Sequence, residues 1–441
     1  MDSILIKNGI VVTLTGNVLN SGSVLIKDKI IQAIGTNIKA PAKCKIIEAK
    51  NKLVMPGLIC THHHLYSTMA RGMAIPGESA SNFVEILERL WWRLDYSLNK
   101  QDILLSALVP LYECIRNGTT TIIDHHASPS YRDGSLDILR SAVEQAGIRA
   151  NLCYEVSDRN IKGGGINENR RFLQSLSKKR SKLVSGMVGL HASFTVSDDT
   201  VKECERIAKE FGVGCHIHVA EDKADREHSI KNYSVPVVKR LHKLGITGSK
   251  SIFSHCIWID DEEMDIIKET DTIVIHNPES NMNNAVGVSK VLKMLERGIL
   301  VGLGTDGMSS DMLAQMRCAY LLHRLDNMDP RVAFCEAPKL LFENNREIVK
   351  RVSGIDVGVI EEGKPADLII IDYNPPTPLS VNNFLGHLIF GIVDATVDTT
   401  ICNGKVLMEN KKIKTLDLED IMKQCRNLSP KMWKRLEEKF G

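Results

Sequence analysis

The run Met55-Pro-Gly-Leu-Ile-Cys-Thr-His-His-His64 carries an apolar segment into a histidine cluster. Side chains alternate faces along a β-strand, so His62 and His64 share one face and His63 takes the other. Two imidazoles on one face at a strand end are half of a transition-metal site. Matching residue types recur downstream in His216-Ile-His218-Val-Ala-Glu221, in Ser254-His255 and in Gly304-Thr-Asp306-Gly307. Three His and one Asp suit a borderline divalent ion, Zn²⁺ or Fe²⁺. Such an ion lowers the pKa of bound water to about 7, which is hydrolytic chemistry. One histidine on a strand reads equally well as a hydrogen-bonded core residue. Four fitting residues at four strand ends would have to be independent coincidences.

The elements that would position them form a regular series. Apolar strand-like runs lie at 53–59, 120–124, 149–156, 184–191, 213–219, 251–258, 272–276 and 299–305. Helical patterns separate most of them, as in Asp102–Asn117, Leu136–Ala146, Ser197–Phe211 and Glu262–Glu269. Eight buried parallel strands joined by helices predict an α/β fold, a (β/α)8 TIM-like barrel whose chemistry sits at the C-terminal strand ends. The insert at about 65–118 holds an amphipathic helix near Asn82, with Glu85 three residues on as a capping box. Short β-rich runs with Asn-Gly turns at both chain ends predict a small β-sandwich built from the two ends together. The expected domains are 1–54 and 358–415 for the sandwich, 55–357 for the barrel, and 416–441 for a C-terminal surface helix.

Composition excludes other classes. The net charge of +2 gives no electrostatic case for nucleic acid or an anionic membrane. No run of about 18 apolar residues predicts a membrane span. The first residues, Met-Asp-Ser-Ile-Leu-Ile-Lys, lack the pattern of a signal peptide. The 11 cysteines include no CxxC pair and read as reduced thiols of a cytoplasmic protein.

Taken together the motifs resemble the amidohydrolase superfamily, in its cytosine deaminase and chlorohydrolase-like branch. The matching segments are Pro56–His64, Arg71-Gly72, Gly118–Thr121, His218–Glu221, His255-Cys256, His276–Asn281, Gly302–Gly307, Ile26–Gly35 and Gly363–Ile369. Within the branch, Asn82–Asp95 and Asp124–Pro129 look most like SsnA-type aminohydrolases, a group linked with purine catabolism. The resemblance implies one divalent ion, zinc foremost and iron second, held by His62, His64, His218 and Asp306. Strand four ends Gly189-Leu-His191-Ala-Ser without the lysine that two-metal relatives use, so one ion is expected. Asp306 would also accept and return a proton, Glu221 would protonate a ring nitrogen, and His255 would polarise the tetrahedral oxygen. His216 lies two residues deeper than His218 on the same face and is expected to be a supporting residue.

The substrate pocket is expected to involve His191, at the strand-four end, with Trp92, His125 and Asn277. Trp91 and Trp92 face about 100° apart on a helix, so at most one should reach a ligand. One of His125 and His126 should point inward, and His63 should be structural. The implied reaction is hydrolysis of a C–N bond in a small nitrogen heterocycle, foremost deamination of a purine-like compound. Ring opening of a cyclic amide, a chlorohydrolase reaction and a catalytically dead metal-binding scaffold are the alternatives. The resemblance also allows a homodimer.

Overall fold

A computed structural model describes residues 3–75 and 77–440. Its centre is mixed α/β with two all-parallel sheets. One runs Leu58–His63, Thr119–His126, Arg149–Tyr154 and Val184–Gly186. The other runs Val188–Ala192, Cys215–Val219, Ile252–His255, Ile273–His276 and Val301–Leu303. These strands are buried at every residue but Ser185, as parallel strands covered by helices on one face and packed on the other must be. The predicted fourth strand is therefore split at Met187 between the sheets. Two lone parallel bridges, His63–Asp306 and Val156–Leu190, join their edges.

The chain ends share one nine-stranded sheet. Leu53–Pro56 lies parallel to Ile4–Val12 on one side and antiparallel to Leu368–Ile371 on the other. Ile6, Val24, Ile26, Ile370 and Ile401 pack in a core of their own.

The run at 53–59 is not one strand. It breaks at Gly57, which leaves the terminal sheet for the first parallel strand. The Gly57 N–H donates to Asp367 O over 2.9 Å. A Cβ there would lie 2.3 Å from Thr120 Oγ1, so the crossing admits no side chain.

Helix starts follow the capping residues. Asn99 caps Lys100–Arg116 reciprocally with Asp102, and Ser197 accepts from Thr200 N at the start of Asp198–Phe211. At Asn82 the box is displaced by one residue. Its side chain accepts from Glu85 N at 3.0 Å, but the Glu85 carboxylate reaches back to Ser81 N at 2.7 Å. The C-terminal helix Leu418–Phe440 buries Ile421, Cys425, Leu428, Met432 and Leu436 along one stripe. Trp433 Nε1 anchors it by donating to Met69 O over 2.8 Å. Among the described residues no helix is long and apolar enough to cross a membrane. All 11 cysteines are free thiols, most of them buried.

Candidate active site

The C-terminal ends of the parallel strands meet in one buried histidine cluster. His62 and His64 come from strand one, His216 and His218 from strand five, His255 from strand six, and Asp306 follows strand eight. The structure brings His62, His64, His218, His255, Glu221 and Asp306 together.

Second-ring contacts fix which imidazole nitrogens are free. His64 Nδ1–H donates to His125 O at 2.5 Å, and His218 Nδ1–H donates to His191 O at 2.7 Å. In neutral rings both Nε2 atoms therefore carry lone pairs, and they stand 3.3 Å apart. His62 Nδ1 meets His216 Nε2 at 2.9 Å and Ser254 Oγ at 3.1 Å, while its Nε2 is buried without a partner. Asp306 Oδ1 lies 3.0 Å from His64 Nε2 and 3.8 Å from His62 Nε2. With neutral rings, three nitrogens and a carboxylate oxygen converge here, and without an ion the Asp306 carboxylate, despite the opposing burial, raises the His64 ring to about 10, so that a proton takes the cation's place. The neutral arrangement is repulsive unless a cation sits in it, and tying the outer ring nitrogens to backbone and side-chain acceptors is how metal-binding imidazoles are held. The residues present fit one divalent ion.

Strain marks the same strand ends. Ala220 (φ 45°), His255 (φ 74°), Cys256 (φ 48°) and Asp306 (φ 54°) all occupy left-handed backbone without being glycine. Such conformations cost about 1–3 kcal/mol each and gather where geometry is set by function.

The two site carboxyls beyond Asp306 are driven in opposite directions. Burial, reinforced by the Asp306 charge, pushes Glu221 well above the usual carboxylate range. Burial also opposes ionisation of Glu155, but His125, His191 and His64 overcome it and hold that carboxyl well below its usual range. Environments that separate two carboxyls in this way separate acid from anion. His255 Nε2 faces both Glu221 Oε2 at 3.6 Å and Asp306 Oδ2 at 3.8 Å.

A cavity opens beside this cluster, and His64, His191, His218, Glu221 and Asp306 line it. The pocket expectations meet it unevenly. His191 and Trp92 line it, and so does Trp91, against the one-tryptophan expectation. The helix carries a π-turn at Leu87–Trp91, and the cavity wall is broad enough to take in both rings. His125 points inward but is not a lining residue. Its Nδ1 meets Glu155 Oε1 at 3.1 Å and its Nε2 meets His216 O at 3.1 Å, so both nitrogens are committed beneath the site. His126 faces away and meets Ser128 Oγ at 2.9 Å. Asn277 is fully buried, packs against Gly304 and is not among the residues that line the cavity. His63 meets Ser310 Oγ at 3.1 Å, outside the cluster.

Among the lining residues that carried no expectation are Glu155, Asp95 and Asn284. Glu155 follows strand three, and its one sequence signal is a carboxylate closing an apolar run. Asp95 and Asn284 lie on segments where nothing in the local pattern distinguishes a pocket residue from a surface one. Asn284 Nδ2 donates to Glu221 Oε1 over 3.4 Å.

Comparison with known proteins follows this geometry. The profile of the amidohydrolase family matches residues 53–407. A protein named 5'-deoxyadenosine deaminase from Methanosarcina mazei is 31% identical over 445 residues, covering 99% of this chain and 100% of that one. A 5-methylthioadenosine/S-adenosylhomocysteine deaminase from Thermococcus onnurineus is 33% identical over 420 residues, covering 93% and 95%. Among solved structures, an adenosine deaminase from Xanthomonas campestris with bound zinc superposes with a TM-score of 0.85 at 20% identity, covering 97% and 98% of the chains. An atrazine chlorohydrolase from Arthrobacter aurescens, also with zinc, gives 0.83 at 22%, covering 97% and 100%. At these identities the solved structures speak for the fold alone.

Proposed function

This chain belongs to the amidohydrolase family, and on that premise we propose that it removes an amino group hydrolytically from a purine-like heterocycle. The observation that carries the reading is the convergence of three imidazoles and Asp306 next to Glu221, a carboxyl that burial pushes well above its usual range. The relatives' names, deaminases of 5'-deoxyadenosine and of 5-methylthioadenosine and S-adenosylhomocysteine, support the substrate class.

We assign the ion to His62, His64, His218 and Asp306 and take it to be zinc, from the donor types. Such an ion supplies Lewis acidity and a water ionised near neutral pH. The remaining chemistry belongs to the side chains. Glu221 gives its proton to a ring nitrogen as the adjacent carbon is attacked, which turns a poor electrophile into a competent one. His255 donates Nδ1–H to Asn281 Oδ1 at 2.8 Å, so its Nε2 accepts in the neutral ring. It takes a proton from the attacking water and, then charged, stabilises the new oxygen. Asp306 Oδ2 takes the second proton of that oxygen and hands it to the departing amine, and His255 returns the first to Glu221, 3.6 Å away. Ser280 Oγ holds Asp306 Oδ2 at 2.5 Å. His191 and Trp92 position the ring.

The same reading treats the two parallel sheets as one (β/α)8 barrel closed through the His63–Asp306 and Val156–Leu190 bridges, with the terminal strands as a β-sandwich beside it.

The test is a metal-verified assay. Zinc and iron are quantified on purified protein. Ammonia release and ultraviolet spectra are then followed over 5'-deoxyadenosine, 5-methylthioadenosine, free purines, pterins and cyclic ureides. Ammonia with a retained ring chromophore is the expected result. Chromophore loss without ammonia would make the enzyme a ring-opening amidohydrolase. Bound metal with no turnover on any compound would make it a scaffold.

A further inference from the structure

The carboxyl side chains that line the cavity, several of them pushed towards the neutral form by burial, face no basic side chain across it. They are Asp95, Glu155, Glu221, Asp222, Asp225 and Asp306, and no lysine or arginine is among the described lining residues. The imidazoles give no substitute: His64 and His218 are assigned to the ion, and His191 Nδ1 meets Thr195 Oγ1 at 2.8 Å. Much of the remaining wall is apolar, from Phe83, Leu87, Trp91 and Phe194. The ion assigned above would be offset by the carboxylates against His64, Asp306 at 3.0 Å and Glu155 at 3.6 Å.

The arginine next to this wall is Arg159, and its charge is taken. Its guanidinium carbon sits 4.8 Å from the Trp92 ring centroid. Its Nη2 donates to Asp95 Oδ2 over 3.2 Å and its Nε to Ser157 Oγ over 3.0 Å. Its Nη1 is buried without a partner, but the residue does not line the cavity. On the cavity side of that pair stands Asp95, itself buried, whose Oδ1 has no partner.

From this geometry we propose that the cavity selects aminated heterocycles whose substituents are uncharged or cationic, and rejects those bearing a carboxylate or phosphate. The proposal rests on the deaminase reading above and narrows its substrate class: S-adenosylhomocysteine, which bears a carboxylate and is named for one relative, falls outside it, while 5'-deoxyadenosine and 5-methylthioadenosine stay within it. An anion entering here would lose its water and meet carboxylates and aromatic faces, with no cation to pair with. A hydroxyl or ammonium would meet Asp95 Oδ1 as an acceptor. Like-charge juxtaposition of this kind discriminates between ligands that fit equally well by shape.

The experiment uses the metal-loaded full chain and three ligands that share one ring and one sugar. They are 5'-deoxyadenosine (neutral), 5'-amino-5'-deoxyadenosine (cationic) and adenosine-5'-carboxylate (anionic). Binding is measured by calorimetry and turnover by ammonia release. The neutral and cationic ligands should bind at least about 100-fold more tightly than the anion. Asp95→Asn should narrow that gap by about tenfold or more through gain of anion binding. An anion that binds within tenfold of the neutral ligand, or no binding by any of the three, overturns the proposal. The expected order of binding without ammonia from any ligand leaves charge selection standing and overturns the deaminase reading instead. Arg159→Gln separates a rescue through that side chain: if it abolishes anion binding seen in the native protein, Arg159 is a cavity cation and the proposal fails.

Discussion

His255 donates Nδ1–H to Asn281 Oδ1 across 2.8 Å, and this one bond decides what the other end of the ring can do. With Nδ1 protonated, Nε2 is the acceptor that looks towards Glu221 and Asp306. Asn281→Ala should leave metal content unchanged and lower kcat by about 10- to 100-fold, because the ring loses its fixed tautomer and orientation. Metal analysis together with steady-state kinetics checks this. Unchanged kcat would mean that the left-handed backbone at His255 holds the ring unaided.

Glu221→Gln keeps the shape of the cavity and removes the proton. Metal should stay bound while turnover falls at least about 100-fold. Full activity in the variant would exclude Glu221 as the proton donor.

Asp306 has two duties, one on each oxygen. Asp306→Asn should therefore reduce both metal retention, read by metal analysis after dialysis, and rate at saturating metal. A variant that keeps both would place the fourth ligand elsewhere in the cluster.

Asp95 gives a pH dependence whose sign is fixed. Burial, with the Glu155 charge, raises its carboxyl to about 7 against the opposing pull of Arg159. The unfolded chain releases that proton near pH 3.9, about three units lower. Between those values the folded state binds the extra proton, so the contribution is full below about pH 4 and is lost as pH rises to about 7. Melting curves at pH 5 and pH 8 should differ less for Asp95→Asn than for the native protein, by about 2 °C. Equal differences would show that Asp95 is already ionised at pH 5.

Gly304 packs where a side chain has no room. A Cβ there would lie 2.5 Å from Asn277 Oδ1 and 2.8 Å from the Cβ and backbone oxygen of His62. Gly304→Ala should destabilise by about 1–3 kcal/mol and weaken metal binding by displacing His62. Denaturation curves and a metal titration test both parts.

The sequence made some of this arrangement legible and hid the rest for definable reasons. His62, His64, His218 and Asp306 stand out because each closes an apolar strand, and two-residue alternation assigns faces without knowledge of the fold. Glu155 closes a strand too, but a single acidic residue after Leu-Cys-Tyr carries no spacing signal, and its meaning comes from histidines on three other strands. His125 was legible as one of an inward–outward pair. That both its nitrogens are consumed by Glu155 and His216 O depends on depth in the cluster, which periodicity does not encode. Trp91 was hidden because the 100° between helix neighbours does not say how wide an arc of the helix the cavity covers. Gly57 looked like the middle of one strand because an apolar run says nothing about which sheet each half joins.

The sharing of one sheet by both chain ends has a consequence for synthesis. Leu53–Pro56 leaves the ribosome early, but the strand that pairs with it, Leu368–Ile371, follows some three hundred residues later. At about 5–20 residues per second that is a wait of about 15–60 s. Throughout it the nascent chain holds an open, apolar strand edge while the metal-binding strands are still arriving. The half-made protein is therefore the form most exposed to aggregation, and its yield in a cell depends on how well that edge is shielded until the last strands emerge.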